Sequence, residues 1–271
     1  MTGAAAAAAR VKSLGLTAKV PRPRRKARRE TAGRDIDVIV QAPVPAGGRH
    51  VGYYVFVNNQ PVAPAARART IYLIRHGETV GNAARIVQMP DSPLSPRGLA
   101  QARRLAARLT RVGIAHILSS DLARAATTAR CLRETTGAAL EHEPLLQERS
   151  FGDVRGTPYA ELGFDLFAAD FAPVNGESWE VFHARVDRAW ARVQAVATTT
   201  NGPLAVVTHG LVCRSLAARH LTLPLGEAVP ARWENTSLTI MEGPPPWRVR
   251  LLNCVAHLDG LDVSPPGDGP A

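Results

Sequence analysis

Residues 71–79 read IYLIRHGET, a run of apolar side chains set directly against an arginine, a histidine and a glycine. An apolar run this short suits a strand buried on both faces of a sheet. Such a strand could simply leave the core at Arg75 and turn at the surface. It could instead deliver Arg75 and His76 to a binding site, and the flanking segments decide between the two. LSPRGLAQARRLAARL (94–109) has Ser95 as a helix N-cap and Pro96 at the first helical position, with Leu99, Ala102, Ala106 and Leu109 at helical spacing. HILSS (116–120) reads as a second strand. DLARAATTARCLRETTG (121–137) reads as a helix capped by Asp121 and stopped at Gly137. WEVFHARVDRAWARVQAV (179–196) is a longer helix, PLAVVTHG (203–210) a third strand, and GLVCRSLAARHL (210–221) another helix. TSLTIM (236–241) and WRVRLLNCVAHL (247–258) close the pattern as strands on either side of GPPP. Strands alternating with helices predict an α/β domain with a mostly parallel central sheet.

Three of these strands end alike. IYLI runs into Arg75-His76-Gly77, HILSS leads to Asp121 and Arg124, and LAVVT ends at His209-Gly210. Ligands in open α/β sheets bind beyond the carboxyl ends of the strands, so chain order predicts that Arg75, His76, Arg124 and His209 converge at one rim. Two guanidiniums and two imidazoles beside a helix N-terminus make an anion trap, and the anion that best fits is a phosphoryl group. A glycine after each histidine is expected to let the backbone approach the ligand closely. Each residue alone has an ordinary reading: His209 as a hydrogen-bonded strand-end histidine, Arg124 as a solvated helix charge. Their placement at successive strand ends argues against those readings.

Composition bounds the rest. Hydrophobic residues make up 45% of the 271-residue chain, enough for a substantial core. The net charge of +10 resides entirely in residues 1–70, which hold 13 Lys+Arg against 3 Asp+Glu, whereas residues 71–271 hold 20 of each sign. The high charge therefore describes the N-terminal part and is no evidence that the body binds nucleic acid. Cys131, Cys213 and Cys254 are widely spaced and odd in number, implying neither a disulfide framework nor a zinc site. No stretch reaches the ~18–20 apolar residues of a membrane span. Residues 1–34 read as a disordered basic tail, a candidate contact for nucleic acid or an anionic surface and, less readily, an organelle import signal. Residues 35–69 suggest a β-hairpin (DIDVIV and HVGYYVFV, then the turn-like NNQP) and a linker; 259–271 suggest a disordered C-terminal tail. The main domain is thus expected over 70–258, in a cytoplasmic protein acting as a monomer or homodimer.

RHGETVGN (75–82), DSPLSPRG (91–98), SSDLARAATTA (119–129), LLQERSFGDVRG (145–156), GES (176–178), VTHG (207–210) and ENTSLTI (234–240) follow one another in an order and register that resemble the histidine phosphatase superfamily, the phosphoglycerate-mutase-like proteins. The resemblance implies a three-layer α/β/α sandwich. It also implies a phosphomonoester hydrolase in which His76 is the nucleophile, Glu148 the general acid and base, and Arg75, Arg124 and His209 bind the phosphoryl oxygens with Asn82 and Gly210. No metal or other cofactor is expected. Many members end the acid motif in Trp-Glu-Gly; here Val154-Arg155-Gly156 replaces a carboxylate with a cation, which touches substrate choice and not phosphoryl chemistry.

Five of the six phenylalanines (Phe151, Phe164, Phe167, Phe171 and Phe182) fall in residues 151–182 with Tyr159 and Trp179, either as helix packing or as an aromatic cap over the site. The expected substrate is a small phosphorylated metabolite: a sugar phosphate, or a phosphoglycerate-like or α-ribazole-phosphate-like ester. The main rival is a 2,3-bisphosphoglycerate-dependent phosphoglycerate mutase; only 60 residues lie between Glu148 and His209, shorter than the segment mutases usually carry there. A non-catalytic protein that binds a phosphorylated partner is the remaining alternative.

Overall fold

The computed structural model describes residues 38–41, 54–57, 60–62 and 69–261. The first three segments, strands β1 (Val38–Gln41), β2 (Tyr54–Val57) and β3 (Gln60–Val62), form an antiparallel sheet in the order β1-β2-β3. The sequence suggested two strands here and a turn at NNQP. Instead Gln60–Val62 pairs with β2, Pro61 lying opposite Phe56. The proline is tolerated because β3 is an edge strand, where an N–H is dispensable. Residues 1–34, expected as a basic tail, lie outside the described residues, as do 262–271 of the expected C-terminal tail.

The second unit, from Ala68 onward, is built on six strands. In chain order its elements are β4 (Arg69–Arg75), a one-turn helix α1 (Val80–Ala83), α2 (Pro96–Leu109), β5 (His116–Ser119), α3 (Ala123–Thr136), β6 (Ala139–His142), α4 (Trp179–Thr199), β7 (Leu204–Thr208), α5 (Gly210–His220), β8 (Leu238–Gly243) and β9 (Arg248–Cys254). The sheet order is β6-β5-β7-β4-β8-β9. Strands β6, β5, β7 and β4 are parallel; β8 and β9 add an antiparallel edge.

Side-chain alternation divides the core into the two faces of this sheet. Ile71 and Leu73 of β4 and Leu204 and Val206 of β7 face α4 and α5. Ile74, Ala205 and Val207 face α2 and α3. Burial on both faces explains why IYLI and LAVVT are nearly unbroken apolar runs. In α2, Ser95 Oγ accepts from the Gly98 N–H at 2.9 Å and Pro96 opens the first turn, as the sequence indicated.

Two local readings needed correction. Asp121 does not cap α3. The chain stays extended through Leu122, which is the N-cap residue, so the Asp121 carboxylate lies one residue too early and accepts from Gln147 Nε2 at 2.8 Å. Strand β6 was not foreseen, because ALEH has no apolar run or strict alternation; it forms against β5 at the sheet edge, half exposed.

The parallel register sets the site. Arg75 lies opposite Thr208, and Ser119 opposite Val207. Backbone bonds continue one residue further, from His76 N to Thr208 O and from Ser120 N to Val207 O, each 2.9 Å. His76, His209 and Ser120 therefore leave the sheet at one level.

Candidate active site

A pocket of ≈ 840 Å³, its open mouth included, lies beyond these strand ends. Arg75, His76, Asn82, Arg124 and Glu148 all line it. His209 and Gly210 do not. The His209 ring is fully buried behind His76, with ring centroids 5.0 Å apart, and Gly210 is the first residue of α5.

The loop bearing His76 is fixed by its neighbours. The Gly77 N–H donates to Thr128 Oγ1 of α3 at 3.0 Å, and the Glu78 N–H to Gln101 Oε1 of α2 at 2.9 Å. Ser95 and Arg97 both bond the Glu78 carboxylate. A Cβ on Gly77 would come within 2.5 Å of the Gly98 carbonyl oxygen, and one on Gly98 within 1.9 Å of the Glu78 carbonyl oxygen. These two glycines thus let the start of α2 pack against the loop; the expected reason at Gly77, room for the ligand, is replaced by a close backbone crossing. Thr79 and Asn82 form a reciprocal capping box on α1. Asn235 Nδ2 bonds the His76 carbonyl at 3.1 Å and Asn82 Oδ1 at 3.4 Å.

His76 Nδ1 lies 2.7 Å from the Gly77 carbonyl oxygen. A carbonyl only accepts, so Nδ1 carries the hydrogen and Nε2 keeps its lone pair. Burial, followed by the charges of Arg124 and Arg75, holds the pKa of His76 well below the ordinary histidine value, so the ring is neutral. His209 is depressed in the same sense, by burial first and then by Arg124 and His76. Its Nε2 contacts Ser120 Oγ at 2.9 Å, and its buried Nδ1 has no partner among the described residues.

Arg75 donates from Nη1 to the Trp233 carbonyl, and Arg124 from Nη1 to the Met89 carbonyl at 3.1 Å. The buried Nε of each has no partner among the described residues. These bonds orient the planar forks and leave donors for an anion. Burial lowers the pKa of Arg124 to about 10, so it stays charged at neutral pH.

Glu148 faces them. One carboxylate oxygen accepts from the Arg149 N–H at 3.0 Å and the other from the Leu211 N–H at 3.2 Å. The N-terminal turn of α5 thus serves the carboxylate through Leu211, whereas the sequence assigned it to the phosphoryl group. Burial raises the pKa of Glu148 above the usual carboxylate value, outweighing these two bonds and the pull of Arg124 and Arg75. A neutral imidazole with a bare Nε2, two oriented guanidiniums and a carboxyl group disposed to hold a proton form a set suited to phosphoryl transfer.

With this geometry the comparisons with known proteins agree. Residues 71–254 match the sequence profile of the histidine phosphatase superfamily (branch 1). The chain belongs to the histidine phosphatase superfamily. It is 32% identical over 205 residues to a protein named "Probable phosphoglycerate mutase GpmB" from Enterobacter sp. (strain 638), covering 70% of this chain and 94% of that one. A mycobacterial glucosyl-3-phosphoglycerate phosphatase superimposes with TM-score 0.59 at 30% identity, covering 69% of this chain and 100% of the other. Phosphoglycerate mutase from Bacillus anthracis str. Sterne gives TM-score 0.61 at 25% identity, over 72% of this chain and 96% of that one. The fold is accordingly the phosphoglycerate-mutase-like α/β architecture, and family membership makes the chain an enzyme of this superfamily.

Several residues of this histidine phosphatase site were not singled out from the sequence. Ser120 holds His209, and Asn235 holds the His76 loop. Arg185 grips the backbone that carries Glu148, donating to the carbonyls of Leu145 at 2.8 Å, Gln147 at 2.7 Å and Glu148 at 3.2 Å, while a two-pronged bond to Glu177 orients it. The aromatic segment divides: Phe151, Phe167 and Tyr159 line the pocket, whereas Phe182 is wholly in the core. No helix among the described residues is long and apolar enough to cross a membrane.

Proposed function

We propose that the protein is a phosphomonoester hydrolase working through a phosphohistidine. His76 Nε2 attacks phosphorus, the P–O bond to the alcohol breaks, and protonated Glu148 gives its proton to the departing oxygen. Glu148, now a carboxylate, takes a proton from water. That water attacks the phosphohistidine, the P–N bond breaks, and inorganic phosphate leaves. Arg75 and Arg124 hold the non-bridging oxygens throughout. Asn82 is a further contact for the phosphoryl group, consistent with its place on the pocket wall.

The observation that carries this reading is the fixed tautomer of His76, bare at Nε2, in the same pocket as a carboxyl group whose pKa is raised. The compact stretch of 60 residues between Glu148 and His209 favours water over a second sugar acid as acceptor, and so favours hydrolysis over mutase activity. The test is phosphate release from p-nitrophenyl phosphate, 3-phosphoglycerate and a phosphometabolite panel, with 2-phosphoglycerate formation followed in parallel and His76→Ala as control. Phosphate release, with acid-labile label on the wild type alone, is the expected result. Efficient interconversion of phosphoglycerates without free phosphate would assign the mutase reaction instead.

A further inference from the structure

Of the groups proposed for phosphoryl transfer, Glu148 alone is not delivered by a strand end or by the helix that follows one. It lies between the 3₁₀ turns Pro144–Leu146 and Gly152–Val154, where no sheet register fixes the chain. Its carboxylate is bonded to the N–H of its own neighbour Arg149 and to the N–H of Leu211 on α5. Where the carboxyl group stands relative to His76 is therefore decided by where the main chain of residues 145–150 stands relative to α5.

That main chain is held by one ion pair. Arg185, in the second turn of α4, makes five hydrogen bonds, one for each N–H of its guanidinium. Nη1 donates to the carbonyls of Leu145 and Gln147, and Nη2 to that of Glu148 itself. Nε and the second Nη2 hydrogen go to the two oxygens of Glu177, each at 2.7 Å. Glu177 closes the other side of the loop. Its carboxylate accepts from the Ser150 N–H at 2.8 Å, and its own N–H donates to the Ser150 carbonyl at 2.8 Å. Gly176 permits this crossing, since a Cβ there would come within 2.5 Å of the Ser150 carbonyl oxygen. Burial would raise the pKa of Glu177, but the bonds from Arg185 and Ser150 hold it below the usual carboxylate value, so the pair is charged. Arg185 does not line the pocket. The cations that act on Glu148 through their charge are Arg124 and Arg75.

We infer that Arg185, oriented by Glu177, is a positioning residue for the general acid: by gripping the carbonyls of residues 145, 147 and 148 it sets where the Glu148 carboxyl group stands. The inference rests on the proposed phosphohistidine reading of the same pocket and adds to it a residue that acts through Glu148 alone. The planar fork is what matters, because it reaches three carbonyls and a carboxylate at once, and a point charge on a flexible stem does not.

The experiment compares, in the full-length protein, kcat/KM for p-nitrophenyl phosphate and for the alkyl phosphate that the wild type hydrolyses best. Arg185→Lys keeps the charge and loses the fork. It should lower kcat/KM for the alkyl ester by about 10²-fold, the scale of a displacement of about 1 Å. The loss on p-nitrophenyl phosphate, whose leaving group needs no proton, should be far smaller. Glu177→Gln leaves the arginine in place but loosens it, and should show the same selectivity with a smaller loss. In a Glu148→Gln background Arg185→Lys should add no further selective loss, because the group it positions is gone. Equal losses on the two esters, or an undiminished selective loss in the Glu148→Gln background, overturn the inference. A second readout needs no turnover. NMR of isotope-labelled glutamate carboxyls, with Glu148 identified by its absence in Glu148→Gln, follows the titration of that group. Arg185→Lys should move its raised pKa down towards the usual carboxylate value as the freed loop meets water, and an unmoved titration overturns the inference. Absence of phosphate release from either ester by the wild type would count against the hydrolase reading and leave this titration decisive.

Discussion

The two halves of the pocket are built on opposite principles. The phosphoryl end hangs from strands β4, β5 and β7, which are buried on both faces and joined by a continuous parallel register. The substrate end consists of residues 151–178, which hold only short 3₁₀ turns and no strand. A buried cation ties its separate turns together. Arg149, 1% exposed, bonds three carbonyls of this segment and is ringed by Phe151, Phe171 and Trp179. Gly152 supplies a tight crossing, at φ 53, where a Cβ would come within 1.9 Å of the Val174 carbonyl oxygen. The groups proposed for phosphoryl transfer thus stand mostly at the ends of doubly buried strands, whereas the segment proposed to meet the rest of the substrate is held by short turns, apolar packing and the bonds of Arg149.

The contrast can be broken most sharply at the phosphoryl end. His76→Ala should lower kcat by at least about 10⁴-fold, since nucleophile removal in a concerted catalytic set costs that much or more; phosphate release measures it. Glu148→Gln should cost about 10²–10⁴-fold on an alkyl phosphate and far less on p-nitrophenyl phosphate, whose leaving group needs no proton. In the wild type, kcat/KM for the alkyl ester should fall as pH rises through the elevated pKa of Glu148, and the glutamine variant should lose that limb. Because His76 is held well below the ordinary histidine range, protonation of the nucleophile should cause no loss of activity as pH falls through about 6.5. Arg124→Ala should cost about 10²–10³-fold in kcat, the usual scale for one oxyanion donor.

At the substrate end the balance should reverse. Arg149→Met should lower stability by about 3 kcal/mol in a denaturant titration, because buried carbonyls lose charge-assisted partners. It should raise KM by a larger factor than it lowers kcat. Equal changes in both would show that the two halves are not separable. The smallest effect concerns acid stability. His76 and His209 have folded pKa values below the unfolded value, so the folded state binds fewer protons. Their contribution is complete above about pH 6.5 and is lost as pH falls below it. Nearer the carboxylate range Glu148, raised in the folded state, works in the opposite sense. His209→Gln should flatten the decline below pH 6.5, read as a smaller change in unfolding midpoint.

The same division governs what could be read from the sequence. Arg75, His76 and Arg124 could be placed in one pocket because each follows a strand end, and strand ends of a parallel sheet share a rim; Glu148, which lies in a loop, was indicated by the family resemblance alone. The capping of α2 was legible because Ser-Pro at a helix start is a local code. Strand β6 was not, since its pairing is dictated by β5 and not by its own residues. Nor were the roles of Ser120, Asn235, Arg149 and Arg185. A surface-looking arginine in a helix, such as Arg185, gives no sign in its own neighbourhood that it will hold three carbonyls some 40 residues upstream. The second serine of SSDLARA was the one available hint for Ser120. The burial of His209 behind His76, not on the pocket wall, follows from the packing of α5 and was equally out of reach.

The bond from His76 to its neighbouring carbonyl has a consequence for the proposed covalent intermediate. With Nδ1 engaged at 2.7 Å, only one of the two constitutional isomers of the phosphoramidate is accessible, the one with phosphorus on the ring nitrogen remote from the main chain. Because the near nitrogen keeps its hydrogen, that adduct is an imidazolium and a far better leaving group than a neutral phosphoimidazole. A single short contact one residue along the chain thereby sets both the regiochemistry of the adduct and the ease with which water displaces it.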